Sequence, residues 1–295
     1  MKIRKLIIPV AGLGTRFFPV TKSIPKEMLP IVDKPTIQIL LEEAYEAGIE
    51  EILFVTSPKK ESIINHFKQD IELENKLIEK NKIEDLKKIQ DLNKMIKISS
   101  AYQEIPLGSG HAINIGRNFI NNEPFAVMYG DDLMKGGCAL KELIEVYEKY
   151  DCNVIGVKEV PYEETNKYGI ISLADNDSME IKALVEKPAI NEAPSNLAGL
   201  GRYIFKPEIF DELNNISLHE NNEYYLTDGI TALMKKQKFY AAKLKGTYYD
   251  RKWPYPQTPK GGIQTFHRGH SCQARRPSSY RTWCGVMRGK GWVLH

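Results

Sequence analysis

Residues 9 to 30 read PVAGLGTRFFPVTKSIPKEMLP. Gly12 and Gly14 carry no side chain, so backbone N–H groups around them can face an anion at close range. Arg16 adds a planar fork of donors, and Lys26, set behind Pro25, adds a compact positive charge. The chemistry these types suit is the binding of phosphate oxygens; a tight turn with a surface arginine and lysine is the plainer alternative. Two common phosphate loops are excluded by spacing. A dinucleotide fingerprint needs a third glycine where Phe17 stands, and a P-loop needs a Gly-Lys-Ser/Thr ending that does not occur. A second cluster, AVMYGDDL at 126–133, puts Asp131 and Asp132 at the end of an apolar run. Paired carboxylates there suit a hard cation such as magnesium, which takes few carboxylates alongside phosphates and water, although Asp-Asp also suits a turn or a helix cap.

The elements that must position these groups alternate. KLIIPVA is a continuous apolar run, TIQILLEEAYEAG has helical spacing closed by Gly48, and EILFVTS is again apolar and β-branched. Helical patterns follow at SIINHFK and over about 70–95, then a strand at IKISSAY, a helix at GHAINIGRNFI, a strand at PFAVMYGDD, a helix at ALKELIEVYEKY and a strand at CNVIGVKEV. Apolar strands separated by amphipathic helices predict a mainly parallel sheet covered on both faces. In such sheets ligands sit beyond the carboxyl ends of the strands, where both clusters fall. YGIISLADNDSMEIKALVEKP reads instead as two strands joined around Asp-Asn-Asp, a β-rich elaboration closed by a helix near LTDGITALMKK and a strand at FYAAKLKG. There are no internal repeats.

Composition separates the chain into two parts. Of 295 residues 42% are hydrophobic, ample for a sizeable core. The net charge of +3 hides an asymmetry: residues 251–295 hold six Arg, three Lys and no acid, giving +9, which leaves −6 for residues 1–250. The same segment holds all three tryptophans, Trp253, Trp283 and Trp292. A basic aromatic tail could bind nucleic acid, and His267, His270, Cys272 and Cys284 could ligate zinc, but neither follows a recognised module or spacing. The reading favoured here is a replaced or frameshifted carboxy terminus. Four irregularly spaced cysteines suit reduced thiols. The basic, apolar start imitates a signal peptide, but its apolar run is too short and reads as a first strand, with a cytoplasmic location expected.

AGLGTRFFPVTKSIPKEMLPIVDKP matches a composite signature, and GSGHAI after Gln103, AVMYGDDL, YGII with VEKP, and APSNLAGLGRYIF follow in order. Together they resemble the nucleoside-diphosphate-sugar pyrophosphorylases, and among them the bacterial UTP–glucose-1-phosphate uridylyltransferases, over about residues 3–250. The resemblance implies a Rossmann-like α/β nucleotidyltransferase fold with a UTP-binding part over about 1–135 and a sugar-phosphate part over about 136–250. It implies uridylyl transfer from UTP to glucose 1-phosphate with release of pyrophosphate. Catalysis is expected from Arg16, Lys26 and Lys187, and nucleotide binding from Ala11, Gly12, Gly14, Thr15, Glu27, Gln103 and Gly108, with Gln103 offering both donor and acceptor to uracil. Gly169, Glu186 and Asn196 are expected around the sugar, and Asp131 and Asp250 on magnesium. His111 is expected to cap or pack at a helix start. Partners are the two small substrates, with no membrane and no nucleic acid, and a homo-oligomer that the altered tail calls into question. Tyr225 in EYYLTD stands where the family commonly has glutamine, and the resemblance stops after Asp250. The rival readings are a sister enzyme such as a thymidylyltransferase, or a nucleotide-sugar-binding protein without turnover.

Overall fold

In a computed structural model, which describes residues 1–175 and 178–250, the described elements fall in one compact unit, Met1–Pro256. The basic tail, its cysteines and histidines, and the tip of the Asp-Asn-Asp turn lie outside the described residues. The strands are β1 (Lys5–Pro9), β2 (Pro30–Ile31), β3 (Lys34–Pro35), β4 (Glu51–Thr56), β5 (Lys97–Tyr102), β6 (Phe125–Met128), β7 (Asp132–Lys135), β8 (Asn153–Glu159), β9 (Gly169–Leu173), β10 (Ile181–Glu186), β11 (Leu197–Phe205), β12 (Phe239–Lys243) and β13 (Thr247–Asp250). The helices are α1 (Thr36–Glu46), α2 (Glu61–Asn65), α3 (Ile71–Glu79), α4 (Ile83–Lys94), α5 (Gly108–Ile115), α6 (Arg117–Ile120), α7 (Ala139–Tyr150), α8 (Ile209–Leu213) and α9 (Leu226–Met234).

The period-two geometry of β1 decides the layering. Leu6 and Ile8 point into one apolar cluster with Ile37, Leu40 and Leu41 of α1 and Leu143 of α7. Ile7 between them points into the other, with Ala112 and Ile113 of α5 and Ile230 of α9. The central strands are therefore apolar on both faces, which is why they read as unbroken runs. α1 buries Ile37, Leu40, Leu41 and Ala44 at helical spacing and ends at Gly48, whose φ of 83° suits glycine.

A nine-stranded sheet carries the molecule, with β10-β9-β11-β6-β1-β4-β5 in order and β8 and β12 joined alongside β11. β6, β1, β4 and β5 are mutually parallel, so their carboxyl ends share one edge. β11 runs antiparallel to β6, β8 and β9 and thereby binds the β-rich part to the parallel block. A separate two-stranded ribbon pairs β7 with β13, setting Asp250 opposite Asp132.

One buried ion pair ties these layers together. Arg202 of β11 is wholly buried and grips Glu43 of α1 with two hydrogen bonds, of 3.0 and 2.7 Å, while its Nη2 also donates to the Asp132 carbonyl at 3.2 Å. Glu43 in turn accepts the Leu140 N–H at the start of α7. Among the described residues Cys138 and Cys152 are free and buried, and no helix is long and apolar enough to cross a membrane.

Candidate active site

β1 ends in the glycine turn, and the turn is built to offer amides. Val10, just past β1, still donates to the Val55 carbonyl, but the backbone N–H groups of Ala11 to Arg16 find no acceptor among the described residues. A Cβ on Gly12 would meet nothing within 4 Å, so the face above it is open. Gly14 has φ of 66°, a conformation that favours glycine, and its carbonyl takes the Thr21 hydroxyl at 2.8 Å.

This turn forms one wall of a cleft of about 520 Å³ at the carboxyl ends of the parallel strands. The cleft is lined by Ala11, Gly12, Gly14, Thr15 and Arg16 from the turn, Lys26 and Glu27 from the next loop, Gln103 and Gly108 from the β5–α5 junction, and Asp131 after β6. Gly169, Glu186 and Lys187 line it from the antiparallel strands, together with Tyr225. Asn196 is not brought to this wall. It sits where β11 begins, its amide donating to the Val160 carbonyl and its own carbonyl accepting the Val160 N–H, so it fastens the entry of a strand.

The charges inside are arranged in pairs. Lys26 Nζ lies 2.6 Å from Asp131 Oδ2. Burial works against the Lys26 charge, but the Asp131 and Glu27 carboxylates outweigh it and hold the ammonium above its ordinary range. Glu27, expected beside uridine, is wholly buried and ion-paired with Lys60 at 3.0 Å. Arg16 is exposed at the rim, with no ion pair among the described residues. Lys187 has φ of 45°, uncommon for a residue with a side chain, and its N–H is fixed to the Tyr168 carbonyl.

The two aspartates differ. Asp132 is buried, and its carboxylate accepts the Gly201 N–H at 2.8 Å and the Tyr248 hydroxyl at 2.9 Å, so it joins β11 to the β7–β13 ribbon. Both line the cleft, but Asp131 is the less buried of the two, with the Lys26 ammonium against its carboxylate. An oxygen donor of this kind, with room for phosphates and water, fits a hard divalent cation. Asp250, expected as the second ligand, has its backbone opposite Asp132; its side chain lies outside the described residues.

Gln103 departs from expectation in a way that bears on chemistry. Its Nε2 donates to the Gly108 carbonyl at 3.1 Å and lies 2.9 Å from His111 Nδ1. A carbonyl can only accept, so Gly108 fixes which end of the amide is nitrogen, and both N–H donors are engaged. Only Oε1 is left for a ligand, so Gln103 presents an acceptor and not the donor–acceptor pair expected. His111, expected as a cap or packing residue, instead holds that amide, and burial pushes its imidazole below the usual range, favouring the neutral ring that can accept.

A family model described as nucleotidyl transferase matches residues 5–284. The chain belongs to this family. It is 49% identical over 252 residues to the UTP–glucose-1-phosphate uridylyltransferase of Bacillus subtilis strain 168, covering 84% of this chain and 86% of that protein. It is 37% identical to the UTP-bound UGPase of Acinetobacter baumannii, with a TM-score of 0.78, over 85% of this chain and 89% of that one. A UDP-glucose pyrophosphorylase solved in complex with UDP-glucose is 41% identical, with a TM-score of 0.76, over 85% of this chain and 94% of that one.

Two residues, one behind the glycine turn and one lining the cleft, escape sequence reading. Lys60 follows a correctly read strand at its ligand-bearing end, but two adjacent lysines in SPKKES gave no ground for choosing one. Tyr129 lines the back of the cleft edge-on to Tyr203 at 5.8 Å, its phenol pushed by burial up to about 12. Gly169, expected to admit a sugar, also has a packing duty: a Cβ there would approach Leu184 to 2.9 Å and Glu186 Oε2 to 3.2 Å. Gly108 is tighter still. It has φ of 87° and a Cβ would meet the Tyr224 carbonyl oxygen at 2.7 Å. Gly108→Ala is expected to cost about 1–3 kcal/mol, read from urea unfolding, since backbone on both sides must shift; an unchanged midpoint would show that the junction is pliable.

Proposed function

We propose that the protein transfers a uridylyl group from UTP to glucose 1-phosphate, giving UDP-glucose and pyrophosphate. The observation that carries the reading is the meeting, in one cleft, of the open amides of Ala11 to Arg16 with Lys26, Lys187 and the acceptor face of Gln103. The names of its relatives point to the same reaction. A phosphate oxygen of glucose 1-phosphate attacks the α-phosphorus of UTP in line. The bond from that phosphorus to the β-phosphate's bridging oxygen breaks, and pyrophosphate departs with its electron pair. The attacking phosphate is already ionised, so the protein's task is alignment and charge neutralisation, with no general base.

In this reading the turn amides hold phosphate oxygens, Arg16 grips the departing pyrophosphate through its fork, Lys26 faces the α-phosphate, and Lys187 meets the sugar phosphate. The left-handed backbone at Lys187 is the kind of conformation that persists only where its surroundings enforce it, which supports a positioned cation there. Glu186 beside it takes sugar hydroxyls. Magnesium, held by Asp131 and supplied with phosphate and water ligands, would stabilise charge on the phosphates. Gln103 Oε1 accepts the N3–H of uracil. Cytosine carries a lone pair at that position and is rejected, because two acceptors would face each other.

Pyrophosphate release with glucose 1-phosphate and magnesium, compared across UTP, dTTP and CTP, tests this. UTP is expected to support turnover and CTP almost none, with dTTP, which keeps the N3–H, well below UTP. Faster release from dTTP would make the chain a thymidylyltransferase. Folded protein that binds UDP-glucose without turnover would make it a binding protein.

A further inference from the structure

Lys60 is a buried cation with no place in the reaction just described, and it sits directly behind the glycine turn. Its Nζ lies 2.6 Å from the Val10 carbonyl, 2.6 Å from the Gly12 carbonyl, and 3.1 and 3.0 Å from the two oxygens of Glu27. The three N–H bonds of an ammonium are thus shared among two alternate carbonyls of the turn and one buried carboxylate. Surface lysines do not collect partners this way; the residue is 7% exposed.

We infer that Lys60 is a positioning residue that aims the turn's amides at the nucleotide. In a trans peptide the carbonyl of one residue and the N–H of the next point in opposite directions. Holding the carbonyls of Val10 and Gly12 toward Lys60 therefore turns the N–H groups of Ala11 and Leu13 away from it, to the side that Gly12 leaves open. Those N–H groups have no acceptor among the described residues. Glycine makes this turn free to adopt many conformations, and something must select one of them. Lys60 selects it twice, at carbonyls two residues apart, and Glu27 holds the ammonium between them. Charge balance alone would require only the Glu27 contact; the two short carbonyl contacts are what mark an orienting role.

The inference rests on the uridylyltransferase reading for its readout, and Glu27 provides the control. In the Glu27→Gln background no buried carboxylate needs a counter-charge, so Lys60→Met should be silent there if Lys60 only neutralises Glu27. Orientation of the amides predicts otherwise: relative to Glu27→Gln alone, Lys60→Met/Glu27→Gln raises the KM for UTP by about tenfold, the worth of a hydrogen bond to a ligand, with kcat changed far less. A purely structural defect would lower the folded fraction and hence apparent kcat, leaving KM in place. An unchanged KM in the double variant overturns the inference. Should that variant fail to fold by circular dichroism, Lys60→Arg decides: it keeps the charge but cannot reach both carbonyls and Glu27 from one nitrogen. It should melt like the wild type with a raised KM, and a wild-type KM overturns the inference. Wild-type turnover with UTP is measured alongside. Its absence overturns the uridylyltransferase reading alone, and equilibrium binding of UTP to the same variants then tests Lys60.

Discussion

Lys26→Ala is expected to lower kcat with UTP by about a hundred- to a thousandfold, the cost of removing one preorganised group that meets developing charge. The expectation follows from position and from pairing. Lys26 lines the cleft 2.6 Å from Asp131, and the carboxylates around it keep it protonated at any pH where the enzyme would work. The fold should survive, because Asp131 is half-exposed and can turn to water when its partner goes. Thermal unfolding and turnover are measured on the same preparation. Lys26→Arg should rescue little, since a planar fork does not replace a compact point charge in a site this close. A fall in kcat below tenfold with an unchanged melting temperature would take Lys26 away from the reacting atoms.

Arg202→Met acts through stability. It strands Glu43 beside the Leu140 N–H with no counter-charge in a site where the arginine is wholly buried. Breaking one side of such a pair costs about 3–5 kcal/mol, a large part of what holds a domain folded. It also releases the Asp132 carbonyl, next to the residue read as the metal ligand. Arg202 Nη1 is buried without an acceptor among the described residues, so the native pair is incompletely satisfied. Replacing both members with apolar residues, Arg202→Met with Glu43→Leu, should therefore recover most of the loss. Urea unfolding of the two variants checks this; a single variant within about 1 kcal/mol of wild type would show that water reaches Glu43.

How much of this was readable beforehand depended on the range of the interaction. That the glycine turn, Arg16 and Lys26 share one cleft was legible because they come from one short stretch of chain. The central strands were legible because β1, with both faces covered, is an apolar run. β11 was not read as the strand that joins the two parts, because LAGLGRYIF carries three features, two glycines and an arginine, that argue against a central strand, and Arg202 is tolerated only through Glu43, far away in sequence. Asp131 and Asp132 are indistinguishable as adjacent letters; Gly201 and Tyr248, brought in by other strands, separate them. Gln103 was placed at the cleft, but the direction of its amide depends on Gly108 and His111 on the next helix.

β11 lies against β6 along Arg202 to Phe205, in a register that matches Met128 to Phe125. A cut between β7 and α7 would thus divide a hydrogen-bonded ladder and bare an apolar edge on each piece, the kind of edge that pairs with copies of itself. The portion that would take the nucleotide and the portion that would take the sugar phosphate are therefore one unit of inheritance. A recombination event or a grafting experiment that moves either must carry its neighbour, and new sugar or base preferences have to arise in loops at the rim, by point change, on a sheet that stays whole.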